Sequence, residues 1–381
     1  MRERYYAAWR LSERDCASTD ANGIEGMGGG RKTGTERTEY REPAHHMKCS
    51  IVIRAYNEAR HIRKLLLGIS RQSLLPHEII LVDSGSTDDT VAIAREFGVR
   101  IVPIDKNQFT FGRALNVGCA ASTGDILVFV SAHVYPTHMN WLAKLVEPFR
   151  DPKVALSYGK QRGNDLNHYS EHQIFAKWFP NESVSPQSTY FCNNANCAVR
   201  RSEWERRPYD ETLTGLEDLD WAKKAQADGG WIAYVADAEI IHVHEESWAT
   251  VRNRYRREAL AMRRIDEKAS FSILDFLMLL PANIGNDLWH ALLEKRLLAE
   301  ASSIFAFRYN QLLGTYRGYR GPNEMTDELR RRFYFPVSRQ EKSGETKPPP
   351  HEEIDYEALL RNEPSFNFEH AKAESARQPR H

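Results

Sequence analysis

The sequence predicts an α/β fold, a mostly parallel sheet with helices on both faces, followed by a helical C-terminal region. Three observations carry that expectation. Short β-branched apolar runs alternate with stretches of helical spacing between residues 50 and 130. Two of the runs end in turn-forming polar clusters, Arg-Ala-Tyr-Asn-Glu at 54–58 and Asp-Ser-Gly-Ser-Thr-Asp at 83–88. From about residue 250 the strand signals stop and an Arg-rich helical pattern takes over.

Taken in order, residues 50–55 read as a buried strand, and 57–69 have helical spacing at Ile62, Leu65, Leu66 and Ile69. A second strand at 78–82 runs into Asp83, and the helix after it carries Val91, Ile93, Ala94 and Phe97 before a Gly98 stop. A third strand at 99–103, a helix at 111–121 and a fourth strand at 125–130 complete the alternation. Further on, 197–199 is a short strand, 216–228 a helix closed by Gly229-Gly230, and 232–235 and 239–243 are strands. The expected division is a disordered extension at 1–46, a sheet domain at 47–250, a helical region at 251–335 and a polar tail at 336–381. Met47, directly before the first strand, is a second place where translation could begin.

Composition narrows the function classes. The chain has 381 residues, 41% of them hydrophobic, enough for a large core. Lys plus Arg and Asp plus Glu both number 52, so no global field drives it onto nucleic acid and any anion site has to be local. Five cysteines without a Cys-x-x-Cys pair favour reduced cytosolic thiols over a disulfide framework or a four-cysteine zinc site. No apolar leader precedes the first strand, and the most apolar run, at 271–282, is too short to span a bilayer. The expectation is a cytoplasmic protein, with peripheral contact at the inner face of the membrane left open. The arginines at 252–264 followed by 271–280 allow that contact, and equally allow a solvated face beside a core helix.

The acidic step Thr214-Gly215-Leu216-Glu217-Asp218 places a carboxylate pair at a helix start. A capping box explains Glu217 without chemistry, and the positive helix end favours the ionised form of Asp218. A carboxylate so placed can equally take a proton from an acceptor hydroxyl. The Ser84–Asp88 stretch, alone, is a turn with a helix N-cap.

In Tyr56-Asn57-Glu58, Asp83-Ser84-Gly85-Ser86-Thr87-Asp88, the helix at 109–118 and Glu217-Asp218, in that order, the chain resembles glycosyltransferase family 2, the inverting GT-A group with its Rossmann-like sheet. The resemblance covers roughly residues 48–250. It implies that Tyr56, Asn57 and Glu58 wall the nucleotide base and ribose, and that Asp83 hydrogen-bonds one of them. Arg113 would reach a donor phosphate, although an ordinary exposed helical arginine explains it as well. Asp218 would be the catalytic base and Glu217 a contact to an acceptor or donor hydroxyl. The partners implied are a nucleotide-sugar donor and a saccharide or lipid-linked acceptor.

One departure stands out. Where the family carries Asp-x-Asp for Mg²⁺ or Mn²⁺, this chain has Ser131-Ala132-His133. His133 can bind Mn²⁺ through neutral imidazole but lacks the hard oxygen that Mg²⁺ prefers. A weaker cation site on His133, metal-free catalysis with His133 or arginines facing the diphosphate, and a dead site all remain open; the intact acceptor-side acids favour the first two. His242 and His244 lie two apart on an expected strand and share a face. At least one is expected to pack as a strand histidine, and His244, nearer the strand end, is the better candidate for a diphosphate or metal contact. The reading is a glycosyltransferase acting with inversion in polysaccharide or glycoconjugate synthesis. Its rival is a non-catalytic nucleotide-sugar binder with a decayed metal site. A nucleotidyltransferase would need a Gly-rich phosphate loop that 54–60 does not supply.

Overall fold

The computed structural model describes residues 47–321 and 354–361. The expectations for 1–46, and for most of 322–381, lie outside the described residues.

Eight strands form one sheet in the order β3-β2-β1-β4-β7-β6-β8-β5. They are β1 Cys49–Ala55, β2 Glu78–Asp83, β3 Arg100–Pro103, β4 Ile126–Ser131, β5 Val134–Pro136, β6 Val154–Arg162, β7 Asn196–Arg200 and β8 Trp231–His242. Helices α1 Ala59–Ser70, α2 Thr90–Glu96 and α3 Phe111–Ala121 connect the first four strands. They are followed by α4 Trp141–Val146, α5 Tyr169–Trp178, α6 Arg201–Arg206, α7 Glu217–Ala227, α8 Trp248–Ile265, α9 Ile273–Leu293 and α10 Leu297–Arg320. The sheet is mixed. The pairs β1/β2, β1/β4, β2/β3 and β6/β8 are parallel, whereas β7 runs antiparallel to β4 and β6, and β5 antiparallel to β8.

The continuous apolar runs of β1, β2 and β4 follow from burial on both faces. Ile51 and Ile53 face one core with Ile62, Leu65, Leu66 and Ile69 of α1 and Trp141 of α4. Val52, Ile80 and Leu127 face the other, with Leu115 of α3 and Trp221 of α7. The period-two alternation thus feeds two cores, and the i, i+3, i+4, i+7 spacing of α1 supplies its buried stripe.

The strand order reverses at β1: β2 and β3 build outward on one side, and β4 returns to the other, still parallel to β1. The carboxyl ends of β1, β2, β4 and β8 therefore share one edge of the sheet with the amino end of the antiparallel β7. Such a switch point leaves a crevice at the strand ends.

Three differences from the sequence expectation have local causes. The stretches expected as two strands at 232–235 and 239–243 are one strand, β8, whose partner β6 carries register irregularities at Val154/Leu156 and Gly159/Gln161. β5, β6 and α5 occupy stretches that the apolar period did not mark. Within the expected tail, 356–361 is a short helix, α11; its Tyr356 hydroxyl donates to the Pro136 carbonyl at 2.7 Å, and Leu359 and Leu360 pack on the first core.

The helices after residue 248 pack together, α8 lying along α10 and α9 joined to α10 by a buried ion pair. Arg308 donates Nε to Asp287 Oδ2 at 2.6 Å and Nη2 to Oδ1 at 2.8 Å. α9 starts with a capping box between Ser272 and Asp275, and it leaves Leu274, Leu277, Met278, Trp289 and Leu293 exposed. Among the described residues, no helix is long and apolar enough to cross a membrane.

Candidate active site

At the end of β1 and β2 the two polar clusters tie each other down. Asn57 adopts the left-handed region (φ 56°), which asparagine tolerates better than most residues. Its backbone N–H donates to Ser86 Oγ at 2.9 Å, and its Oδ1 accepts from Thr87 N at 2.8 Å. Asp83 is buried and accepts from Gly85 N at 3.0 Å and from Ser86 N at 3.1 Å. Asp88 accepts from Ala59 N at 3.1 Å and Thr90 N at 3.0 Å, so it anchors the starts of both α1 and α2. Tyr56 holds the outer rim, with its hydroxyl 2.5 Å from Lys106 Nζ, which also lies 4.2 Å from the ring centroid. Lys106 is a rim cation that lies outside the motifs legible in the sequence.

Glu58 makes a contact away from the rim. Its carboxylate lies 2.8 Å from His133 Nδ1 and so reaches across to the loop after β4. The Arg113 guanidinium, partly exposed, donates to Glu211 at 3.2 Å and to Gln108 at 3.0 Å. Ser131 ends β4 in register with Arg54 of β1, at the switch point itself.

The start of α7 corrects the capping expectation. Leu216, left-handed at φ 55°, is the N-cap residue, and no side chain caps the helix. The Thr214 hydroxyl instead donates to the Arg257 carbonyl at 2.9 Å. Glu217 is turned to Arg54, whose Nη1 is 2.9 Å away, and the Arg54 guanidinium rests 5.0 Å from the Phe111 ring centroid. Asp218 is 8% exposed and accepts from Asn194 N and Leu219 N, both at 2.9 Å. Its pKa is pushed up to about 7, first by burial and then by the adjacent Glu217 carboxylate, against the two backbone donors and Arg54. The helix end therefore does not keep Asp218 a strong acid. A raised pKa is what a group needs to accept a proton near neutral pH.

Asp218 opens onto a cavity of about 710 Å³, shared with His242 and His244 of the β8 end, Phe191 and Asn193, and residues of α5, α8, α9 and α10. Tyr56, Asn57, Glu58, Asp83, Arg113 and His133 do not line it. Three histidines join the two sides. The His133 and His242 rings stack at 5.2 Å, and the His242 and His244 rings meet at 4.1 Å. Burial opposes the charged form of His133, but Glu58, by charge and hydrogen bond, carries its pKa above the ordinary value. His242, fully enclosed and flanked by two histidines, is held well below it. Behind His244, Glu171 is kept ionised, its pKa lowered to about 2, because His244 and Arg254 outweigh its burial. Both strand histidines thus belong to the cluster, including the one expected only to pack. The signal available in the sequence was their i, i+2 spacing at a strand end.

Cys49, Cys119, Cys192 and Cys197 are free and buried, and burial raises the pKa of each thiol. Reactive thiols are excluded from this site on that ground.

Residues 50–207 match the family described as Glycosyl transferase family 2. Over that stretch the chain is similar to glycosyltransferase family 2. Similar proteins include the O-antigen chain rhamnosyltransferase RfbN of Salmonella typhimurium, 28% identical over 210 residues that cover 52% of this chain and 67% of that one. Glycosyltransferase AglE of Haloferax volcanii is 26% identical over 260 residues, covering 63% of this chain and 84% of its own. Among solved structures, the mannosyltransferase PcManGT of Pyrobaculum calidifontis, in complex with GDP-Man and Mn²⁺, superposes with a TM-score of 0.51 at 18% identity, over 73% of this chain and 88% of that one. That likeness shows the fold, which is GT-A. This glycosyltransferase therefore has a GT-A sheet in which Ser131-Ala132-His133 follow from the end of β4.

Proposed function

We propose that this glycosyltransferase moves a sugar from a nucleotide-diphosphate donor to an acceptor hydroxyl by a single displacement with inversion. Asp218 takes the proton from the acceptor O–H as that oxygen attacks the anomeric carbon. The bond from the anomeric carbon to the donor's diphosphate oxygen breaks, and the diphosphate leaves with the electron pair. The observation that carries this reading is the Asp218 carboxylate, with its pKa near 7, facing a cavity large enough for a saccharide.

The nucleotide belongs on the other side of the histidine cluster, over the rim formed by Tyr56, Lys106 and the 83–88 loop. Asp83 there is part of a backbone nest and orders the loop as well as offering an acceptor to a base or ribose. Glu217 acts through Arg54 and sets the field at Asp218. A cation bound at the cluster would neutralise charge on the departing diphosphate.

The relatives' O-antigen role supports an acceptor in polysaccharide or glycoconjugate synthesis. The exposed apolar face of α9, which also borders the cavity, supports a lipid-linked acceptor with peripheral membrane contact. Flotation with vesicles tests the latter: a protein that stays entirely at the bottom of the gradient removes it.

The reaction is tested by incubating the protein with a panel of nucleotide sugars and measuring released nucleoside diphosphate, with and without Mn²⁺. Turnover by the native protein that Asp218→Asn abolishes is the expected result. Turnover unaffected by that substitution removes the mechanism, and tight nucleotide binding with no turnover on any acceptor favours a binding protein instead.

A further inference from the structure

The histidine cluster has an outer layer that decides its chemistry. His133 Nδ1 lies 2.8 Å from Glu58 Oε1, His242 Nδ1 lies 2.8 Å from Gln161 Oε1, and His244 Nδ1 lies 2.8 Å from Glu171 Oε1. The outer atoms are two carboxylate oxygens and one amide oxygen, and with each imidazole hydrogen on Nδ1 towards them the lone pairs lie on Nε2. Yet His242 Nε2 and His244 Nε2 lie 3.0 Å apart. Two nitrogen lone pairs face one another at that distance only with a proton or a cation between them. A metal ion with bonds of about 2.0–2.1 Å sets two of its ligands roughly 2.9–3.4 Å apart, a range that includes this separation. His133 offers a ligand nitrogen within 4.8 Å of the other two.

A second acidic group nearby, Glu171 with His244 and Glu246, is already neutralised. Arg254 Nη2 bonds both carboxylates at 2.6 Å, so that place is filled by a guanidinium.

We propose that His133, His242 and His244 form a three-imidazole site for a nitrogen-preferring divalent transition ion such as Zn²⁺ or Co²⁺, with Glu58, Gln161 and Glu171 holding the rings from behind. Imidazole donors select such ions over Mg²⁺, which requires oxygen ligands. Outer-layer acceptors that orient imidazoles are the usual companions of histidine metal sites. Three protein ligands leave positions open, and on the glycosyl-transfer reading, on which this part of the inference rests, diphosphate oxygens fill them. The replacement of Asp-x-Asp by Ser131-Ala132-His133 is then an exchange of oxygen for nitrogen ligation. His133 comes from the loop after β4, and His242 and His244 come from the end of β8.

The test uses the full chain stripped of metal and titrated with Co²⁺ alone, read by calorimetry and by visible d–d absorption. One equivalent is expected to bind with absorption bands of low-coordinate nitrogen ligation, and a large excess of Mg²⁺ is expected not to displace it. His133→Gln, at a partly exposed position, and His242→Ala should each abolish the bands. Glu171→Gln should keep them but weaken binding on the order of 10- to 100-fold. Absence of a band and of heat with the native chain overturns the proposal and leaves a proton shared between His242 and His244. Unchanged binding in His133→Gln, or displacement by Mg²⁺, overturns it as well. The two readings separate cleanly. Turnover by a metal-stripped chain that binds no Co²⁺ removes this site and keeps glycosyl transfer, whereas Co²⁺ bound by a chain that never turns over removes the transfer and keeps the site.

Discussion

Asp218→Asn is expected to destroy activity and to stabilise the protein, and the size of the second effect follows from the first. Asp218 has an ordinary pKa of 3.8 when unfolded and about 7 when folded. Below pH 3.8 both states hold the proton and folding bears no cost. As pH rises towards 7, the unfolded chain ionises while the folded one keeps its proton, so stability is lost progressively across that interval. At 1.36 kcal/mol per unit, the loss is roughly 2 kcal/mol at pH 5 and roughly 4 kcal/mol at pH 8. Asparagine removes it but cannot accept from both Asn194 N and Leu219 N, which returns about 1 kcal/mol. The variant should therefore be about 3 kcal/mol more stable at pH 8, a rise in melting temperature on the order of 5–10 °C, and should show little or no gain near pH 4. Thermal unfolding at the two pH values measures this directly. In parallel, kcat should fall about 10²- to 10⁴-fold, as for loss of a general base. The native kcat/KM should rise with pH to a plateau above about 7. Equal melting temperatures at pH 8 would refute the claim that burial raises this carboxyl, and activity retained in the variant would refute its role as base.

Three further outcomes test the surroundings. Arg54→Ala leaves Glu217 buried without its partner and should cost about 3–5 kcal/mol in urea unfolding; it should also move the acid limb of the pH–rate profile upward, since Arg54 now favours ionised Asp218. Asp287→Ala should lose about 3–5 kcal/mol by stranding Arg308, while the double replacement Asp287→Leu with Arg308→Met should recover most of it; a single and a double variant of equal stability would contradict the buried pair as described. Gly159→Ala drives a Cβ into the Ala238 carbonyl oxygen, in the irregular stretch of β6, and should cost about 1–3 kcal/mol in urea unfolding.

How far the site was legible in the sequence depended on whether its parts were local. The four strands β1 to β4 were read because buried β-branched runs and glycine stops mark them, and Asp218 was found because an acidic pair opens a helix. β6 escaped because Ser157, Gly159, Lys160 and Gln161 break its apolar period, yet it supplies the Gln161 that orients His242. Arg54 carries no local signal of its role, since its partner Glu217 is 163 residues away. The resemblance alone places Glu58 with Tyr56 and Asn57 at a nucleotide; its contact with His133 depends on the β1/β4 pairing at the switch point and has no local signal. The capping box failed for a physical reason too. A left-handed Leu216 starts α7 one residue before Glu217, so Thr214 is too far back to reach the first free N–H groups.

The most direct measurement is a crystal structure of the Asp218→Asn protein with an intact nucleotide sugar. The account predicts the sugar in the 710 Å³ cavity with position 218 beside its anomeric carbon, the diphosphate against His133, His242 and His244, and the nucleoside over Tyr56 and the 83–88 loop. A donor bound with its anomeric carbon outside that cavity, or with its diphosphate away from the three histidines, would contradict it.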